Sequence, residues 1–265
     1  MGAVLHVLVL LLLITGGVSG SKLRSWHKYP DVNPWAVGSP SPRDSHKMVV
    51  GSDGALWSFG GERGSLLSAE LFKLDVQTEE WKTITTSGVS PTPRSGHTMG
   101  STDGFLWVFG GATRSDYVNP GCSNELWRLC LATLEWTRIE VPSDSVAPSA
   151  RYDHVMTSVG LDLWLHGGST DSDSTNAELW RFDTSTLRWE TVDSTTANGV
   201  APSGRFGHVM TSVGRDLWLH GGMTDGIGEG GLDDSDDSAT LWRFDTSTCG
   251  WEAINNTAVN GAAPA

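Results

Sequence analysis

The sequence predicts an all-β protein of four four-stranded units packed face to face, the architecture of a β-propeller. Three observations predict it. One set of motifs recurs four times in the same order, each recurrence holds four strand-like runs, and the second run is apolar at nearly every position. Recurrence decides the architecture first. Each unit opens with Pro and then Arg, with His three residues beyond the Arg: Arg43/His46, Arg94/His97, Arg151/His154 and Arg205/His208. An apolar run then ends in Gly-Gly, at Gly60-Gly61, Gly110-Gly111, Gly167-Gly168 and Gly221-Gly222, in steps of 50, 57 and 54 residues. A variable loop leads to Glu70-Leu71-Phe72, Glu125-Leu126-Trp127 and Glu178-Leu179-Trp180, which becomes Thr240-Leu241-Trp242 in the fourth unit. A last Trp closes each unit: Trp81, Trp136, Trp189 and Trp251. The third and fourth units repeat Asp-Leu-Trp-Leu-His-Gly-Gly word for word.

The second unit shows how the strands fall. Residues 97–102 form the first, Thr102-Asp103-Gly104 the hairpin turn, 105–109 the second, 125–130 the third and 135–139 the fourth. Phe105-Leu106-Trp107-Val108-Phe109 does not alternate. Strict alternation would leave one face wet, so a continuous apolar run means that both faces are covered. Blades stacked around an axis supply that cover. Composition agrees: 32 glycines point to many tight turns, and 13 tryptophans to broad rings packed between sheets.

With the double glycine, the aromatic beyond it and the closing Trp in place, the chain resembles the kelch-repeat family over residues 22–265. The resemblance implies a kelch-type propeller, and the Arg-x-x-His openings are a local elaboration on it. The expected divisions are a signal peptide at 1–20, an orphan outer strand and lead-in at 21–41, and blades at 42–87, 88–142, 143–195 and 196–257. Residues 258–265 read as the start of a fifth repeat, because Asn260-Gly261-Ala262-Ala263-Pro264 mimics Asn198-Gly199-Val200-Ala201-Pro202. Ser25–Tyr29, with Trp26, looks like a fourth strand with no blade before it. The expectation is therefore an incomplete ring of a six- or seven-bladed propeller; a closed four-bladed ring is the alternative.

Val4–Ile14 is an apolar run too short to span a bilayer and suited to a signal sequence, with Val18 and Gly20 as the small residues before a cut. A buried helix is the other reading of that run. A signal peptide places the chain in the secretory pathway, secreted or on the extracellular face, with no membrane span of its own. Cys122, Cys130 and Cys249 then leave at least one thiol unpaired within the chain. Eight extended residues span about 26 Å and a disulfide needs Cα atoms about 4.4–6.8 Å apart, so Cys122 pairs with Cys130 only if the loop folds back. Asn255-Asn256-Thr257 is a glycosylation sequon, with Asn255 the acceptor.

The net charge of −13 comes wholly from residues 133–265, which carry 7 basic and 20 acidic side chains. That excludes nucleic acid and anionic membrane surfaces as natural partners. Eleven tryptophans hold repeat positions and read as blade packing; Trp26 and Trp35 fall outside the pattern. His46, His97, His154 and His208 recur once per blade, which favours a structural, hydrogen-bonding role. His166 and His220 replace Phe59 and Phe109 before Gly-Gly. Equivalent positions on neighbouring blades stand about 10 Å apart and point the same way, so no metal site is assigned to them. Arg43, Arg94, Arg151 and Arg205 either line an anion channel or, the favoured reading, form buried ion pairs with Glu70, Glu125 and Glu178.

Function on a repeat scaffold sits in its variable loops. The third and fourth loops are acidic, with Asp171 and Asp173 in one and Asp225, Asp233, Asp234, Asp236 and Asp237 in the other. These are the candidate binding residues, for a protein or glycan ligand or for Ca²⁺. No catalytic residue and no cofactor is assigned. The resemblance also extends to the galactose-oxidase type, whose copper is held by Tyr and His with one Tyr crosslinked to Cys. Tyr29, Tyr117 and Tyr152 have no fitting His and Cys beside them, so that enzyme reading would place the site in blades outside the sequence.

Overall fold

The computed structural model describes residues 38–116, 119–142, 144–171, 174–193, 201–224 and 239–254. All of them belong to the unit Pro34–Ala265. Residues 1–20, Ser25–Tyr29 with Trp26, Trp35, Tyr117, Asn255 and 258–265 lie outside them, as do Asp173, Asp225, Asp233, Asp234, Asp236 and Asp237.

The described residues form four four-stranded antiparallel sheets arranged as propeller blades. Blade one is Lys47–Val50, Leu56–Phe59, Leu71–Asp75 and Glu80–Ile84. Blade two is Thr98–Thr102, Phe105–Phe109, Leu126–Cys130 and Glu135–Ile139. Blade three is Val155–Val159, Asp162–His166, Leu179–Asp183 and Arg188–Val192. Blade four is Val209–Val213, Asp216–His220, Leu241–Asp245 and Gly250–Ile254. Each sheet runs first, second, third, fourth strand, and no α-helix occurs among the described residues. The first strands of successive blades lie side by side.

Local chemistry sets the turns. Asp103 and Gly104 both have positive φ, 44° and 80°, the pattern of a two-residue I′ hairpin. Between the third and fourth strands, Asp183 Oδ1 accepts from the Ser185 and Thr186 N–H groups at 2.8 and 3.2 Å, and Asp245 does the same for Ser247 and Thr248. The register then puts Trp57, Trp107 and Trp164 on the blade face turned toward the following blade, and Trp218 on the same face of blade four.

The core is a series of seams between blades. Trp57, Phe59 and Leu71 of blade one pack with Leu106, Val108, Trp127 and Trp136 of blade two. Trp107, Phe109 and Leu126 meet Leu163, Leu165, Phe182 and Trp189 of blade three, and Trp164 and Leu179 meet Leu217, Phe244 and Trp251 of blade four. Burying a side chain of this size contributes about 1.5–3 kcal/mol, so the seams dominate the favourable side of folding. Among the repeat tryptophans only Trp81 and Trp218 are half-buried, one on blade one and one on blade four.

Candidate functional site

Two loop systems meet at the Gly-Gly end of each blade: the Pro-Arg-x-x-His lead-in and the loop after the double glycine. Their joint is made the same way each time. A Cβ placed on Gly60, Gly110 or Gly167 would stand 2.6, 2.7 or 2.6 Å from Cε1 of His97, His154 or His208 of the next blade. A Cβ on Gly61, Gly111 or Gly168 would stand 2.7–2.8 Å from Cβ of His46, His97 or His154 of its own blade. The double glycine is thus clamped between two histidines, and its positive φ adds a second reason for glycine. The N–H groups of Gly61, Gly111 and Gly168 donate to the carbonyls of Arg94, Arg151 and Arg205 at 2.8–2.9 Å, stitching blade to blade.

The arginines close the same joint. Nη1 of Arg43, Arg94, Arg151 and Arg205 donates to the carbonyl of Gly60, Gly110, Gly167 and Gly221 at 2.9–3.1 Å. Nη2 of Arg43, Arg94 and Arg151 pairs with Glu70, Glu125 and Glu178 at 2.8, 2.9 and 2.7 Å. Only half of each pair is buried, which corrects the expectation of a buried ion pair. The arginines are 0–5% exposed, but the three glutamates are 55%, 26% and 49% exposed, because they sit where the third strand emerges. Glu125 and Glu178 also accept the indole N–H of Trp127 and Trp180.

The histidines divide by role, where a common hydrogen-bonding role was expected. His97 packs edge-on against Phe59, with ring centroids 5.4 Å apart. His154 Nε2 meets Thr98 Oγ1 at 3.1 Å, and His208 Nε2 meets His166 Nδ1 at 3.0 Å. His166 therefore converges on His208 of the next blade, while His220 is exposed. Burial, helped by neighbouring Lys47 and Arg charges, drives His97, His154 and His208 well below the ordinary imidazole range. Among the described residues no three His, Cys, Asp or Glu side chains gather to hold a metal.

The third residue of each Arg-x-x-His forms a belt. Gly96 N–H donates to Ser45 carbonyl, Asp153 N–H to Gly96 carbonyl and Gly207 N–H to Asp153 carbonyl, at 3.0, 2.7 and 2.9 Å. All four residues have φ between 50° and 66°, a conformation that side chains rarely adopt and that the belt fixes here. Above it opens a cavity of about 90 Å³ shared by blades one, two and three. Ser45, Glu62, Arg114, Asp116, Tyr152 and Asp153 line it. Glu62 is bridged to Asp44 by two backbone hydrogen bonds of 3.0 Å. Burial, and then the like charges of Asp44 and Asp153, hold the Glu62 carboxyl above the ordinary range. Glu62, Asp116 and Asp153, from three blades, line the cavity together, with Asp44 beside Glu62; none is adjacent in sequence, which is why motif reading passed over them.

Of the acidic-loop candidates, Asp171 is described. Its Oδ1 accepts from the Cys122 N–H at 2.9 Å, tying the blade-three loop to the blade-two loop. That contact holds Asp171 below the usual carboxylate range. Burial, with Asp171 beside it, pushes the Cys122 thiol up to about 12. Cys122, Cys130 and Cys249 are free thiols.

Blades of this kind, joined through a double glycine and closed by a Trp, define a kelch-type β-propeller. The family model described as the KLHDC2/KLHL20/DRC7 Kelch-repeats domain matches residues 21–222 and again 119–265. The chain belongs to the kelch-repeat family. It is 33% identical over 176 residues to the Rab9 effector protein with kelch motifs of Bos taurus, covering 64% of this chain and 44% of that protein. With Kelch domain-containing protein 3 of Bos taurus it shares 27% over 243 residues, 86% of this chain and 59% of the relative. With Multiple epidermal growth factor-like domains protein 8 of Mus musculus it shares 29% over 193 residues, 68% of this chain and 7% of the relative. In each case the chain spans less than two thirds of the relative's own length.

Proposed function

We propose that this chain is a non-enzymatic binding scaffold whose Gly-Gly end takes a positively charged segment of a partner protein. One observation carries the reading: Glu62, Asp116 and Asp153 line one cavity, with Asp44 beside Glu62, and burial and then the charges of Asp44 and Asp153 hold the Glu62 carboxyl above its ordinary range. A carboxylate held above its ordinary range by burial, and then by neighbouring negative charge, gains from a cation placed beside it. The acidic loops at 169–176 and 223–238 extend the same sign of charge, which speeds encounter with a basic partner. The name of one relative, an effector of Rab9 with kelch motifs, fits a family that binds proteins. Secretion or display at the cell surface is part of the proposal and is supported by the Val4–Ile14 run with its small-residue cut site.

A fluorescence-anisotropy titration tests it, with a lysine-rich peptide, a glutamate-rich peptide of equal length and a neutral oligosaccharide as probes. The lysine-rich peptide should bind, lose affinity as salt rises, and bind about tenfold more weakly to the Glu62→Gln/Asp153→Asn double variant. Binding of the acidic peptide instead, or of none of the three, would overturn the reading. Binding of the oligosaccharide alone would replace a protein partner with a glycan.

A further inference from the structure

The seams between neighbouring blades repeat one design, and at the end of the blades opposite Gly-Gly the third seam departs from it. Blade two sends Leu134 into its seam with blade one, and blade three sends Leu187 into its seam with blade two. Each stands two residues before the closing Trp, with φ of 55° and 56°. Blade four has Cys249 at that place, with φ of 55°, so the backbone is the same and the side chain is shorter. A cavity of about 630 Å³ opens there between blades three and four. Val159, Trp164 and Val192 line it from blade three, and Arg215, Ser247 and Cys249 from blade four. Its size falls within the range of about 300–1,000 Å³ that small-molecule sites occupy.

The same seam lacks a hydrogen bond that the other two contain. Trp57 donates its indole N–H to Asp53 Oδ1 at 3.0 Å, and Trp107 donates to Thr102 Oγ1 at 2.8 Å. Thr102 ends the first strand of blade two, and in blade three that position is Val159, which has no side-chain acceptor. Trp164 is 5% exposed, and its buried Nε1–H has no partner among the described residues. A buried donor without an acceptor is costly, and most find one. The counterpart indoles reach the hairpin between the first and second strands. In blade three that hairpin supplies Val159 and Gly160 to the cavity wall.

The walls decide what kind of acceptor fits. Arg181 is already held by Asp162 at 2.9 Å and Glu190 at 3.3 Å. With Asp193 and Arg215, the lining carries three carboxylates against two arginines. An anion is repelled there at least as much as it is drawn. A neutral carbonyl accepts from the indole without adding charge, and Val192 and Cys249 offer apolar surface to the group that bears it.

We infer that this cavity is a second binding site, separate from the acidic one at the Gly-Gly end, for a small neutral molecule whose amide or ketone oxygen accepts the Trp164 N–H. Two substitutions within the repeat make it: Cys for Leu opens the space, and Val for Thr frees the donor.

Cys249 allows a test in the full chain. Its thiol lines the cavity, so disulfide exchange can hold a weakly bound fragment in place. Two probes of equal length are used as mixed disulfides with cysteamine: N-(2-mercaptoethyl)benzamide, and 4-phenylbutanethiol, which has the ring without the carbonyl. After equilibration under reductant, peptide mass spectrometry reads each cysteine separately. Cys249 should carry the benzamide over the phenylbutyl probe by about fivefold, the worth of one hydrogen bond, and Cys130 should take the two alike. Val159→Thr copies Thr102, supplies the indole with an internal acceptor and should abolish the preference at Cys249. Equal capture of the two probes at Cys249 overturns the inference. So does a preference that Val159→Thr leaves intact, or one that Cys130 shares, since it would then belong to the probes themselves.

Discussion

Cys130 occupies a position that three other blades give to aspartate. Asp75, Asp183 and Asp245 each cap the turn between the third and fourth strands by accepting its N–H groups. In blade two the Thr133 hydroxyl and the turn N–H groups stabilise the thiolate in the same way and hold Cys130 below the ordinary thiol range. Cys122 is its opposite, pushed up to about 12 by burial and by Asp171. The thiolate is the reactive form, so timed alkylation with iodoacetamide followed by peptide mass spectrometry should label Cys130 first and Cys122 last. Equal rates would show that the turn does not favour the thiolate. The sequence places Cys130 at the end of a strand, and aligning the four turns is enough to see which residue it replaces. Nothing local to Cys122 announces Asp171, which stands 49 residues away and reaches it across two loops.

At the scale of the element, the blade and its joint were largely legible. Strands, hairpins and the closing Trp follow from a periodic pattern, because each strand's partners within a blade lie nearby in the chain. The joint was legible as a motif and not as a contact. Gly-Gly is explained by histidines of two different blades, and the second of these is invisible to spacing. Gly110→Ala should therefore cost about 2–4 kcal/mol, through a strained φ of 68° and a Cβ 2.7 Å from the His154 ring and 2.8 Å from the Arg151 carbonyl. Gly104→Ala meets open space at φ 80° and should cost only about 1 kcal/mol. Urea denaturation of the two variants makes the comparison, and equal losses would mean that the clamp yields without cost. The half-exposure of Glu70 and Glu178 likewise came from where the third strand ends, which residue type alone did not reveal.

For the whole molecule, the buried imidazoles set a pH dependence. His97, His154 and His208 are held neutral, and His166 is pushed down to about 3, chiefly by burial. In the unfolded chain the same groups take up protons near about pH 6.5, so the unfolded state binds more protons as pH falls. Their stabilisation is complete above that value and drains away below it, by up to about 1.4 kcal/mol per pH unit for each group. Glu62, held above its ordinary range, opposes the trend, and the lowered Glu70, Glu125 and Glu178 add to it only nearer about pH 4. The melting temperature should be flat above about pH 7 and fall steadily toward about pH 5. A profile level across that range would mean that the histidines are hydrated in the fold.

By itself the sequence determined that the chain is built of four blades, which strands form them, and which residues mark each joint. Those properties are repeated or local, and a pattern of apolar and turn residues encodes them within one unit. Only the tertiary structure decided that His166 meets His208 and that Glu62, Asp116 and Asp153 share one cavity. Each of these depends on how one blade lies against another, a register between residues about fifty positions apart. No periodicity within a unit carries that information, because seam contacts arise from side-chain shape and burial once the blades have stacked.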